Sequence, residues 1–140
     1  MIRTSLIAAI VAVASLTGVA GAQAATVELV RSDYGPVVAD GRGEALYLFT
    51  KEERARSECY GACAEAWPPL LTRPGPRAGE GIRRRLLGTT RRRSGRLQVT
   101  YRGHPLYYYV GDRPGLITCQ NVFEFGGRWL LVRSTGRAVH

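Results

Sequence analysis

Apolar and aromatic residues recur along this chain in short runs that are typical of β-strands. Segments 27–30, 86–90, 97–101 and 129–132 combine Leu, Val, Thr and aromatic residues, which favour strands. Ser94 and Gly95 mark a turn between the second and third runs, and Gly126 and Gly127 lead into the fourth. The pattern therefore predicts a mainly β fold.

The chain contains a duplicate of itself at an offset of 60 residues. Residues 42–49 read RGEALYLF and residues 102–109 read RGHPLYYY. The same offset pairs the acids Glu52 and Asp112 and the cysteines Cys59 and Cys119, and a tryptophan lies further along the chain after each cysteine. On a strand, Tyr47 and Phe49 would face one side and Leu46 and Leu48 the other, so both faces would be covered. We predict a single small domain of two pseudo-repeated β units, about 35–72 and 95–133, whose tyrosines and tryptophans share one interior.

Two segments interrupt the β pattern. The segment from Ser57 to Trp67 predicts one short helix, because Ser57 is a suitable N-cap, alanine is frequent and Pro68 ends the run. Residues 73–81, RPGPRAGEG, predict a surface loop between the halves.

The first 24 residues predict an export signal. Arg3 provides a positive start, the apolar run from Leu6 to Leu16 is shorter than the roughly 20 residues that cross a bilayer, and Ala22-Gln23-Ala24 is typical of a cleavage site. No cysteine precedes Cys59 that could carry a lipid. We expect residues 25–140 to form one secreted or periplasmic domain without a transmembrane segment or a lipid anchor.

Three cysteines leave several forms of sulfur chemistry open. A Cys59–Cys63 disulfide would pin the turn before Trp67, whereas a bridge from either residue to Cys119 would join the halves. The longer loop stabilises more in the chain-entropy model, so stability favours a bridge between halves. Alternatively, Cys59, Cys63, Cys119 and His104 could bind zinc or copper, or the thiols could act in redox chemistry.

The composition adds a strong positive charge. Lys and Arg number 20 against 11 Asp and Glu, for a formal charge of +9, and Lys51 is the only lysine. The candidate polyanion-binding residues flank segment 86–90 and are Arg83, Arg84, Arg85, Arg91, Arg92 and Arg93. On an exported protein such residues favour an anionic envelope polymer or lipid surface rather than genomic nucleic acid. The alternative is a solvated face that blocks edge-to-edge strand pairing.

The sequence offers little material for catalysis. It contains no nucleophile elbow, phosphate loop, haem-attachment motif or HExxH motif. Glu52 and Asp112 follow their strands and are expected to accept hydrogen bonds from turn amides or arginines. We therefore predict no catalytic residue, no cofactor apart from the zinc or copper alternative, and an exported binding or structural module.

The repeated motif resembles a known family. The chain carries CYGAC followed three residues later by WPPL, the segment YRGHPLYYYVGD, and two copies of a Tyr-x-aromatic-x-x-acid element. Together they resemble the bacterial secreted-repeat family, often described as predicted lipoproteins with a Yx(FWY)xxD motif. The resemblance implies an exported, repeated fold and a Cys59–Cys63 pair, and it implies no activity. The motif residues are Tyr47, Phe49, Glu52, Tyr107, Tyr109 and Asp112, with Glu52 standing where the family has Asp.

Overall fold

The structure, a computed structural model, describes residues 23–140. The predicted export signal lies outside the described residues except for Gln23 and Ala24. The fold is mainly β with one short α-helix among the described residues, as predicted. In chain order the elements are β1 Thr26–Val30, β2 Val37–Asp40, β3 Tyr47–Phe49, α1 Ala62–Ala66, β4 Leu71–Thr72, β5 Arg77–Ala78, a 3-10 helix Arg84–Leu86, β6 Leu87–Arg91, β7 Leu97–Tyr101, β8 His104–Pro105, β9 Val122–Glu124 and β10 Gly127–Leu131.

The strands form three small sheets with the orders β2-β1-β5, β3-β10-β9 and β4-β7-β6, and β8 also pairs with β7. The β1–β2 and β6–β7 hairpins occupy equivalent places in the two repeats. Gly43 and Gly103 have φ of +85° and +78°, so both repeats need a residue that tolerates the left-handed region at the turn before the aromatic run.

The two halves are interleaved rather than placed side by side. In the first half β3 pairs with β10 of the second, with Tyr47 opposite Leu131. In the second half, residues 106–109 are the counterpart of the β3 run. They pair with the chain that follows Trp67, where the Tyr108 N–H donates to the Pro68 carbonyl at 2.8 Å. Tyr47 and Tyr107 exchange backbone hydrogen bonds of 2.8 and 3.0 Å at the centre. Each aromatic run thus lies beside the tryptophan segment of the other repeat.

The core has two parts, one on each side of the aromatic runs. Tyr47 and Phe49 belong to one cluster and Leu46 and Leu48 to the other, so the predicted double coverage is confirmed. The four residues expected to turn inward are fully buried: Tyr47, Trp67, Tyr107 and Trp129.

The helix is shorter than predicted because Ser57 does not cap it. The Ser57 hydroxyl instead donates to Gln98 Oε1 at 2.6 Å. Gly61, with φ of +56°, turns the chain immediately before α1, and no side-chain oxygen caps that end. The helix therefore occupies only the second half of the predicted segment.

The loop between the halves contains a strand that the sequence pattern does not show. β5 runs parallel to β1, and Arg77 and Gly79 donate backbone N–H groups to Ala25 and Val27 at 2.7 Å each. Because backbone groups form these contacts, they do not require alternating apolar and polar side chains. The sequence therefore shows no strand pattern at β5. No helix within residues 23–140 is long and apolar enough to cross a membrane.

Candidate functional site

The two motifs are joined by reciprocal hydrogen bonds between the repeats. The Tyr47 hydroxyl donates to Asp112 Oδ2 at 2.5 Å, and the Tyr107 hydroxyl donates to Glu52 Oε2. The tyrosine of each motif thus bonds to the acid of the other motif. The spacing within a motif places the acid just beyond its strand, where the opposite tyrosine can reach it. We call these two bonds the clasp.

Each carboxylate of the clasp is also held by the turn that follows it. Asp112 Oδ1 accepts from the N–H and hydroxyl of Thr118 at 2.9 and 2.7 Å. Glu52 Oε2 accepts from the Glu58 N–H at 2.7 Å. The bonds from turn amides confirm the expectation. The other donors are the hydroxyls of tyrosines and of Thr118, and not the arginines also considered.

Glu52 lies in surroundings that disfavour its charged form. Its Oε1 is buried without a hydrogen-bond partner in the described structure. Burial raises the pKa of Glu52 to about 7, although its hydrogen bonds act in the opposite direction. Burial, then the neighbouring acids, raises the pKa of Tyr47 and of Tyr107 well above the usual value, so both hydroxyls remain donors.

Four aromatic rings form a column inside the clasp. Phe49 stacks on Trp129 at 4.0 Å between ring centroids, Trp129 stacks on Trp67 at 4.1 Å, and Trp67 meets Tyr109 at 4.7 Å. Tyr47 and Tyr107 add edge contacts to Trp67 and Trp129, each at 5.2 Å. Phe49 and the two tryptophans are buried, whereas Tyr109, at the end of the column, is half-buried. The two tryptophans therefore belong to the core and do not line a groove.

The residue that holds both tryptophans lies outside the motif. Glu124 accepts the Trp67 indole N–H through Oε2 at 2.9 Å and the Trp129 indole N–H through its backbone carbonyl at 3.2 Å. Sequence reasoning missed this residue, because nothing in the repeat pattern distinguishes it.

The disulfide joins Cys59 and Cys63, with an S–S distance of 2.00 Å and a Cα–Cα distance of 5.2 Å. The stability argument for a bridge between the halves was therefore wrong, and the pairing implied by the family resemblance is the one observed. The two residues can converge because Cys59 precedes α1 and Gly61 turns the chain between them. Cys119 is a free, half-buried thiol, and no cysteine follows it in the sequence.

The four residues considered as metal ligands do not come together as thiolates and imidazole. The sulfurs of Cys59 and Cys63 are bonded to each other, and residues 23–140 contain no group of three or more His, Cys, Asp or Glu arranged to hold a metal ion. His104 lies in β8 opposite Tyr101. Burial, then the charges of Arg102 and Arg54, lowers the pKa of His104. A metal site on these cysteines would require the reduced protein.

The six candidate arginines separate into surface and interior residues. Arg92 is only 8% exposed, and its guanidinium donates to Gln98 Oε1 at 2.8 Å and to the Cys59 carbonyl at 2.6 Å, so it serves the interior. Arg91 and Arg93 remain exposed, Arg93 over the ring of Tyr60. Arg84 is exposed in the 3-10 helix.

Arg83 and Arg85 line a recess of about 440 Å³ together with two arginines that sequence reasoning missed. These are Arg102 and Arg137. Neither belongs to an arginine run, so only the folded chain shows that they meet the first pair.

Comparison with known proteins gives one match. A family model described as a secreted repeat of unknown function matches twice, over residues 28–71 and 88–133. These two ranges correspond to the interleaved halves described above. No curated protein and no solved structure matches the chain.

Proposed function

Since the chain belongs to this family of secreted repeats, we propose that it is an exported, non-catalytic module that binds anionic polymers of the cell envelope or its surroundings through its arginine surface. The observation that carries the proposal is the lack of charge compensation. Within residues 23–140, only Arg42 and Arg56 form ion pairs with carboxylates. The other described arginines are open to an external anion wherever they are exposed.

The acids of the chain are used elsewhere, which supports this interpretation. Glu52 and Asp112 accept hydrogen bonds from tyrosines in the clasp, and Asp40 accepts from the Tyr108 hydroxyl at 2.8 Å. Of these three acids only Asp40 also pairs, within the described residues, with an arginine, Arg42, at 3.1 Å, so Glu52 and Asp112 do not neutralise the arginine surface. The arrangement keeps a strong positive field outside a fixed interior.

The same contacts support a role other than catalysis. A general acid or base must reach a substrate, directly or through one water. Glu52 and Tyr107, whose pKa values are raised, bond to each other across the repeats. Their contacts stabilise the joint between the halves, and the perturbed pKa values follow from burial there.

Arginine suits a binding surface of this kind. Its planar guanidinium binds phosphate and sulfate oxygens in pairs, and it remains charged at every physiological pH. A surface with one lysine and many arginines therefore favours anions that carry such groups over simple counterions.

Chromatography on immobilised heparin, a sulfated polysaccharide, tests the proposal. We expect retention at low ionic strength and a linear fall of log K with log salt, because binding releases counterions. Uncharged dextran beads are the control and should retain nothing. No retention on heparin at low ionic strength would overturn the proposal. Binding to phosphatidylglycerol vesicles without binding to heparin would show a lipid surface to be the partner instead.

We propose thiol chemistry as a second candidate, on one observation. Cys119 is free and packs against the same core cluster that contains the Cys59–Cys63 disulfide. Exchange would join Cys119 to one of the two sulfurs and release the other as a thiol. Peptide mapping after acid quenching should then find Cys119 in a disulfide in part of the protein. Mapping that finds only Cys59–Cys63 would overturn this candidate.

A further inference from the structure

The recess lined by Arg83, Arg85, Leu86, Arg102, Thr135 and Arg137 is built by three separate segments. The first is the chain leading into β6, the second is the β7–β8 turn, and the third is the turn that follows β10. Its four charged lining residues are all arginines, and no acid lines it. None of the four forms an ion pair within residues 23–140.

A buried tyrosine fixes two of the three segments. Tyr101 is fully buried, and its hydroxyl donates to the Ser134 carbonyl at 2.6 Å and accepts the Arg83 N–H at 3.1 Å. The backbone N–H of Arg102 also donates to the Leu86 carbonyl at 2.8 Å. The backbones that carry the arginines are therefore positioned by the fold itself, before any ligand is present.

Arg102 occupies a conformation that its residue type disfavours. Its φ is +50°, in the left-handed region, where the Cβ of an ordinary residue comes too close to the following carbonyl oxygen. Its stem packs on Gly136, where an added Cβ would lie 2.4 Å from the Arg102 Cβ. Gly or Asn would relax this turn, so the arginine at this position lowers local stability. Strain of this kind is typical of residues that bind.

Like charges gathered without acids repel one another, and an external anion would relieve that repulsion. Resting on the proposed function, we propose that this recess binds one phosphate or sulfate group of the anionic polymer. A tetrahedral oxyanion offers three or more acceptor oxygens, which several guanidinium groups can share, whereas a planar carboxylate offers two. The recess is large enough for the group and the atoms next to it along a polymer.

Isothermal titration calorimetry of residues 25–140 with inorganic phosphate, sulfate and acetate tests the site. The recess variant is Arg83→Gln with Arg137→Gln. The matched control is Arg73→Gln with Arg113→Gln, which removes the same charge from exposed arginines that make no side-chain hydrogen bond within the described residues. We expect the wild type to bind phosphate and sulfate at least fivefold more tightly than acetate. The recess variant should lose at least tenfold in affinity for phosphate, and the control less than twofold.

Equal losses in the two variants would show diffuse attraction and overturn the site, even if heparin still retained the protein. Absence of phosphate and sulfate binding by the wild type would also overturn it. The proposed function is tested separately, because it is overturned only if heparin does not retain the wild type. The source of the group is tested with sodium polyphosphate and phosphatidylglycerol vesicles: recess-dependent binding of the polymer supports the proposal, and recess-dependent binding of vesicles alone overturns it.

Discussion

Replacing Glu52 with glutamine is expected to remove a large part of the pH dependence of stability near neutrality. Burial raises the pKa of Glu52 from 4.5 to about 7, and the hydrogen bonds from Tyr107 and Glu58 offset only part of this rise. Between these values the folded protein holds a proton that the unfolded chain releases. The free energy of unfolding therefore falls as the pH rises from 4.5 through about 7.

The size of the effect follows from the same two values. A pKa raised from 4.5 to about 7 corresponds to about 3 kcal/mol between the two ends of this range. For a domain of this length such a change corresponds to roughly 10 °C in melting temperature. The Glu52→Gln variant cannot titrate at this position and should lack this contribution.

Thermal unfolding followed by circular dichroism between pH 4 and 8 measures the difference between wild type and variant. Subtracting the two curves removes the other titrating groups. Asp112→Asn is the matched control, because it leaves one acceptor oxygen where Tyr47 and Thr118 use two, and it keeps Glu52 in place. It should lower stability and keep the slope. Parallel curves for the wild type and Glu52→Gln would refute the reasoning.

Three further predictions concern the core, the sulfurs and the recess. Trp67→Ala should cost about 3–5 kcal/mol in denaturant unfolding, whereas Phe123→Ala, at a side chain 63% exposed, should change stability by about 0.5 kcal/mol or less. Intact mass should show the loss of two hydrogens, and alkylation in denaturant should find one thiol per molecule. Cys63→Ser should cost about 2 kcal/mol from loop entropy. Gly136→Ala should destabilise the fold and weaken phosphate binding, since the added Cβ collides with the arginine stem that packs there; unchanged phosphate affinity would contradict this link.

The β character and the repeat could be predicted because they are local properties of the sequence. The alternation of Tyr47 with Leu46 and Leu48 indicates two covered faces, and the structure buries all three. The strand 97–101 was predicted with the bounds it has. The strands β2, β5, β8 and β9 were missed. The last three have only two or three residues, which show no period, and the four residues of β2 are all buried and so do not alternate either.

The interleaving of the halves could not be predicted from the sequence. A repeat shows that Tyr47 and Tyr107 are equivalent, but it does not show which acid each one reaches. The sequence left the disulfide pairing open. The stability argument pointed to the other pairing because it weighed the entropy of a long loop without the local turn at Gly61, which brings the nearer pair together. Only Arg83 and Arg85 of the recess could be predicted from the sequence, because tertiary structure brings Arg102 and Arg137 next to them.

The exchange of hydrogen bonds across the clasp makes each repeat depend on the other. One repeat alone would have a tyrosine without its acid and an acid without its tyrosine. Two separate copies could satisfy both by meeting around a two-fold axis, and they would reproduce the arrangement seen here within one chain. Within one chain the encounter of the two halves is intramolecular, so it does not depend on protein concentration.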